Sequence, residues 1–269
     1  MEFSTIRSRI GASLISAAVF LLVFTSATEA KRPNVSKDLI TPGTLLIGSD
    51  IPYPPFEFGP KSNYKGFDID LANAMAKKLR LKVVYKDTYF DTIFTDLSQG
   101  KFDLVASATT ITSERKRVVK FTRANYDAQQ SLTVRPDSNI RAVRDLAGLR
   151  VGVQNGTTGD YFAEDRTRAG KVLGYPNAPS VIKALKEGRV DAVILDQYVV
   201  YHALRKGQRG FKVARNVSTG EKYGFPVRKS SKRLHRGINW AFGKIRADGK
   251  FKRIYRKWFG INPPPSLRR

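Results

Sequence analysis

The chain has no cysteine, only two histidines, and 23 acidic residues against 48 lysines and arginines. Without cysteine there is no disulfide framework, an oxidising compartment is tolerated, and thiol catalysis and cysteine-based zinc sites are excluded. His202 falls within a helical stretch and His235 in a basic terminal region, and neither has a partner at metal-ligand spacing. Both read as structural or surface residues, so no metal, cofactor or general base is expected. Long hydrophobic runs are missing too. The apolar run Ile10 to Phe24 is too short for a comfortable membrane span. Arg7 and Arg9 precede it and Thr28-Glu29-Ala30 follows it, the pattern of a cleavable signal peptide over residues 1–30. Its charges cancel (Glu2, Arg7, Arg9, Glu29), so the remainder carries the full formal net charge of +25. A solvated basic surface is the plain reading of that excess. An anionic membrane surface or acidic partner also fits it, whereas nucleic acid is not expected because no recognition motif surrounds the basic residues.

What is present is a unit written twice. Leu97-Ser-Gln-Gly100-Lys-Phe-Asp103-Leu-Val105 returns as Leu185-Lys-Glu-Gly188-Arg-Val-Asp191-Ala-Val193 in one register. Each copy reads as a helix end, a glycine stop and a short buried strand. A repeated unit of this kind points to two similar lobes. Polar residues follow each strand, Ser107 to Thr112 in one copy and Asp196 in the other, and the carboxyl ends of strands are where open α/β sheets bind ligands.

Around the first copy the order is strand (Leu45 to Gly48), a proline turn, a helix opening at Gly66-Phe67-Asp68, a strand (Val83 to Tyr85) and a helix from Phe90 to Ser98. That is β-α-β-α-β, the order of a parallel sheet with right-handed crossovers. It restarts with Leu149 to Val153, whose glycine matches Gly48, and continues through a loop, a helix near Asp160, the second copy and a helix from Val199 to Leu204. Leu132 to Val134 and Glu221 to Val227 read as extended segments crossing between lobes, a hinge suited to opening and closing. The expected fold is therefore α/β, two lobes with mainly parallel sheets on a two-segment hinge. The expected boundaries are a leader at 31–43, lobe 1 at 44–131 and 222–260, lobe 2 at 132–221, and a tail at 261–269.

The loop Gln154-Asn-Gly156-Thr157-Thr158-Gly159 opens a helix and lacks a P-loop lysine, which leaves a helix N-terminus with threonine hydroxyls, an anion site or an ordinary turn. Arg115 sits in the first turn of a helix, where a cation is poorly placed for the dipole; aimed into the cleft, its planar fork binds a carboxylate bidentately. Asp196 ends an apolar strand, is costly if buried alone, and suits an ammonium. Together the two describe a receptor for a zwitterion. Tyr53 and Phe90 sandwich an aliphatic stem in this reading, with core packing as the plain alternative.

Gly66-Phe67-Asp68-Ile69-Asp70-Leu71, Thr110-Ile111-Thr112-Ser113-Glu114-Arg115, Tyr223-Gly224-Phe225 and Tyr255-Arg-Lys-Trp258-Phe259-Gly260 resemble the periplasmic polar amino-acid-binding proteins of ABC importers. The resemblance implies a type II periplasmic binding fold, a monomer that closes on one free amino acid and presents it to a membrane permease. It implies Arg115 for the α-carboxylate, with Thr110, Ala108, Thr157 and Thr158 beside it, and Asp196 for the α-ammonium. Tyr53 and Phe90 match its aromatic walls, and Asp50 the acid near the side-chain end of the pocket. Gln154 and Leu195 stand where glutamine binders have lysine and histidine, and Pro226 replaces the usual alanine. Asp50 disfavours an acidic side chain through like charge, leaving arginine, lysine, ornithine, histidine and glutamine. The rival readings are a secreted cyclohexadienyl or arogenate dehydratase and the ligand-binding core of a sensor.

Overall fold

The structure, a computed structural model, describes Met1 and residues 31–268. The signal-peptide reading of residues 1–30 falls, Met1 aside, outside that range. Ten strands and eight α-helices are found among the described residues. The first five strands are β1 (Thr44–Ser49), β2 (Lys82–Asp87), β3 (Leu104–Val105), β4 (Val119–Phe121) and β5 (Tyr126–Val134). The rest are β6 (Arg150–Gln154), β7 (Lys171–Tyr175), β8 (Ala192–Asp196), β9 (Lys212–Tyr223) and β10 (Pro226–Arg228). Helices α1 (Phe67–Leu79), α2 (Ile93–Ser98) and α3 (Ser113–Val118) belong to the first half, and α4 (Thr158–Arg166), α5 (Ala178–Lys186) and α6 (Gln197–Arg205) to the second. Two terminal helices follow, α7 (Lys232–Ala247) and α8 (Lys250–Phe259).

The strands form two five-stranded sheets, ordered β2-β1-β3-β10-β4 and β7-β6-β8-β5-β9. In each, three strands run parallel, β2-β1-β3 and β7-β6-β8. The added strands are antiparallel, so the sheets are mixed. The antiparallel pair β5 and β9 is long, and its first rungs, Tyr126 opposite Tyr223 and Asp127 opposite Lys222, carry the chain between the sheets.

The repeat has the same mechanical job in each sheet. Gly100 and Gly188 end their helical turns with φ of 82° and 70°, a left-handed conformation that a side chain would strain. The aspartate two residues into each strand approach then holds the first strand of its own lobe. Asp103 accepts the Leu46 N–H at 3.0 Å and Asp191 accepts the Arg150 N–H at 3.0 Å. An arginine braces each carboxylate, Arg228 on Asp103 and Arg150 on Asp191. Gly48 and Gly152 leave room for the residue preceding each aspartate. A Cβ on Gly48 would lie 2.6 Å from the Phe102 ring, and one on Gly152 3.1 Å from Val190.

Several elements differ from expectation for local reasons. Helix α2 starts at Ile93, leaving Phe90 in the turn ahead of it. Strand β7 carries no periodic signal and forms by pairing with β6 in register. The expected crossing at Glu221 is the end of one continuous strand, β9. The leader is held in place: Val35 is buried, and Asp38 Oδ2 accepts the N–H groups of Arg233 and Leu234 at 2.6 and 2.9 Å. Asp38 thereby caps α7, whose own N-cap Ser231 makes no side-chain bond. At the other end Leu267 is buried and Ser266 Oγ donates to Asp127 at 2.5 Å, so the last residues pack back onto the hinge.

Helices α7 and α8 lie against α1. Phe251, Ile254, Tyr255 and Phe259 of α8 are buried, whereas Lys250, Lys252, Arg253, Arg256 and Lys257 are exposed. The basic excess is thus on solvent faces while the apolar stripe builds the core; each such side chain stabilises the fold by about 1.5–3 kcal/mol.

Gly48→Ala is expected to cost about 1–3 kcal/mol through overpacking against Phe102. Adding Phe102→Val, the residue of the second copy, should recover part of that loss in urea unfolding. Strict additivity of the two changes would show that the ring is not what excludes a side chain at position 48.

Candidate functional site

The carboxyl ends of β1, β3, β6 and β8 face one another, and between them lies a cavity of about 10 Å³. That is room for about one water, so any larger guest requires the lobes to part. Its lining includes Tyr53, Phe90, Ala108, Thr110, Arg115, Gln154, Thr157, Thr158 and Asp196. Asp50 stands behind it and is tied to it by the Gln154 amide, which donates to Asp50 Oδ2 at 2.6 Å. Neither histidine takes part. His202 lies on α6 with its ring 6.0 Å from that of Phe58, and His235 bonds the Phe121 carbonyl.

Arg115 reaches the cavity because Thr112 caps α3, accepting the Arg115 N–H at 3.1 Å and fixing the first turn. The guanidinium donates to the carbonyls of Thr110 at 2.9 Å and Gly156 at 3.1 Å, bridging the lobes. It sits over the rings of Phe94 and Phe90, 4.5 and 5.4 Å from their centroids. Burial lowers its pKa to about 10, so it stays charged at neutral pH. Two of its five N–H groups bond these carbonyls, and no carboxylate among the described residues lies in salt-bridge range.

Asp196 has partners inside the protein. Tyr53 donates to Oδ2 at 2.7 Å, Tyr223 donates to the same oxygen, and Gln130 Nε2 donates to Oδ1 at 2.6 Å. Burial nevertheless raises its pKa to about 6, with Glu221 adding to the effect. The threonines are engaged as well. Thr157 caps α4 by accepting the Asp160 N–H, and its hydroxyl donates to the Gln154 carbonyl at 2.8 Å. Thr110 and Thr158 both donate to Glu221 Oε2 at 2.8 Å. The Ala108 N–H donates to Asp68 at 2.7 Å, and φ at Ala108 is 44°, a strained conformation held by that bond.

The rest of the surroundings is acidic. Ser107, first of the polar run after β3, and Glu57, which was not a candidate, complete the lining. Ser107 donates to Glu57 Oε1 at 2.9 Å, while Glu57 Oε2, Gln154 Oε1 and Gln130 Oε1 are buried with no hydrogen-bond partner among the described residues. Burial raises Glu57 well above the carboxylate range, and Asp50 and Asp68 to about 7. The signal for Glu57 was an acid between Phe56 and Phe58 beside a proline turn. For Gln130 it was an amide within a buried strand.

The profile of the bacterial extracellular solute-binding proteins, family 3, matches residues 45–261. The chain belongs to that family. The solute-binding protein is 33% identical over 221 residues to ABC transporter arginine-binding protein 1 of Escherichia coli (strain K12), covering 80% of this chain and 90% of that one. It is 32% identical over 232 residues to the lysine/arginine/ornithine-binding periplasmic protein of the same organism, covering 82% and 89%. Among solved structures, an ancestral arginine-binding protein bound to glutamine aligns with TM-score 0.78 and 38% identity over 82% of this chain and 100% of that one. The fold is that of the type II periplasmic binding proteins, as the family resemblance implied.

Raised carboxylate pKa values in the folded protein have a definite sign. Asp50 is neutral in both states below about pH 4, and as pH rises towards 7 the unfolded chain ionises first, so folding loses stability. Above about pH 7 the penalty is complete and constant. Asp50→Asn should therefore raise the melting temperature of the empty protein more at pH 8 than at pH 4.5. A gain that is equal at the two pH values would mean Asp50 is not the titrating group.

Proposed function

We propose that this solute-binding protein captures one free polar amino acid, a basic one by preference, and delivers it to a membrane ABC permease from the periplasmic side. The observation that carries the reading is the imbalance at the cavity. Buried amide oxygens of Gln154, in the lining, and Gln130, outside it, have no donor among the described residues, and the lining holds Glu57 and Asp196, with Asp50 behind it, against the one guanidinium of Arg115. A guest rich in N–H groups and positive charge satisfies both deficits, and an arginine side chain offers five donors. The names of the relatives, which bind arginine, lysine or ornithine, point the same way.

In this reading Arg115 takes the α-carboxylate, with Thr110, Ala108, Thr157 and Thr158 around it. Asp196 takes the α-ammonium, Tyr53 and Phe90 flank the stem, and Asp50 with Gln154 meets the far end. The lobes, 44–131 with 222–260 and 132–221, move about the β5–β9 pair as a monomer. A ligand touching both lobes favours the closed form by its differential affinity, which is the only source of the switch. The protein acts by binding and release, and no residue is assigned to bond-breaking.

Arginine, lysine or ornithine should raise the melting temperature in a screen of the standard amino acids with ornithine and citrulline, as ligand linkage requires. No shift with any amino acid sinks the reading, and formation of phenylalanine from a cyclohexadienyl amino acid replaces it with the enzymatic one. Arg115→Ala should fold and weaken binding by about 2–5 kcal/mol in calorimetry, since a buried carboxylate loses its counter-charge. Asp50→Asn should weaken arginine more than glutamine.

A further inference from the structure

Glu221 does not line the cavity, yet it bonds one lining residue from each lobe. It stands on β9 opposite Ala128 of β5, in the crossing pair. Its Oε2 accepts both the Thr110 hydroxyl, beyond β3, and the Thr158 hydroxyl, the first residue of α4, each at 2.8 Å. Gln130 Nε2 approaches its two oxygens at 3.4 and 3.5 Å. The two threonine oxygens are themselves only 3.4 Å apart.

A hydroxyl has one proton and two lone pairs. With both protons on Glu221, Thr110 and Thr158 present only acceptors to the cavity, whereas a ligand carboxylate, itself acceptor-only, needs those protons. We propose that Glu221 is a surrogate for the ligand carboxylate. It holds the two hydroxyl protons in the empty closed form, fastening the lobes, and yields them when an amino acid's own carboxylate arrives. Two carboxylates cannot share two protons without strain or repulsion, so the ligand displaces the interaction rather than adding to it. The displacement half rests on the amino-acid-binding reading; the fastening half does not.

Two measurements decide it, with melting curves confirming that each variant folds. By X-ray scattering, empty Glu221→Ala should have a larger radius of gyration than the empty parent, the difference vanishing at saturating arginine. An unchanged radius overturns the fastening. By calorimetry, Glu221→Ala should bind arginine about tenfold tighter, the value of one freed charge-assisted hydrogen bond, and the size-conserving Glu221→Gln, whose amide oxygen still accepts but is uncharged, should fall between alanine and the parent. Agmatine, which is arginine without its carboxylate and leaves Glu221 in place, should bind the variants no tighter than the parent. Weaker arginine binding, or an equal change for both ligands, overturns the surrogate role. If the alanine variant does not fold, the glutamine variant carries the calorimetric arm. Should the parent bind neither ligand, the amino-acid reading fails and scattering alone decides the fastening.

Discussion

One buried guanidinium among several buried carboxylates is the constraint on which the junction depends. Arg115 is held by carbonyls and aromatic faces, while Asp50, Glu57, Asp68, Asp196 and Glu221 crowd the same region. Desolvation penalises ionised Asp50, Glu57, Asp68 and Asp196, and at Glu57 and Asp196 neighbouring acids of the cluster add to it. The protein offsets part of this with hydroxyls, amides and one backbone N–H. What remains uncompensated is a local excess of acid at the junction, on which the proposed choice of a basic guest rests.

The hinge lets that preference act. Tyr126 and Tyr223, paired across β5 and β9, have their rings 5.4 Å apart and stacked. Phe56, Phe259 and Tyr198 gather about Tyr126 at 5.1, 4.8 and 6.1 Å, and the Tyr198 hydroxyl donates to the Phe259 carbonyl at 3.0 Å. This aromatic hub packs the crossing strands against α6 and α8, a fixed pivot of the kind the proposed opening needs. Tyr223 belongs to both systems: its ring is in the hub and its hydroxyl is on Asp196.

Much of this was legible in the linear chain. The seven-place repeat announced two lobes because a glycine stop and an aspartate clamp are local devices, each acting within a few residues or on a neighbouring strand. Arg115 stood out because a cation in a first turn opposes the helix dipole, and Asp196 because an acid ends an apolar strand. Strand β7 was not legible, since it has no alternation and exists by pairing with β6. Glu57, Gln130 and Glu221 were missed because a lone polar residue in a strand looks like any exposed one until its facing partners are known. The leader and the last residues read as polar appendages, yet Asp38 and Ser266 find their partners on distant elements.

The sequence by itself determined the two-lobed α/β plan, the absence of thiol and paired-histidine chemistry, and the residues that carry unusual charge at strand and helix ends. These follow from short-range physics: periodicity, backbone conformation at glycine, and capping. Only the tertiary structure decided who satisfies whom. Asp196 is held by two tyrosines and a glutamine, Arg115 by two carbonyls, and two threonine protons by Glu221. All but one of those assignments, Arg115 on the Thr110 carbonyl, join residues tens of positions apart, and hydrogen-bond polarity is a property of geometry that no spacing along a chain encodes.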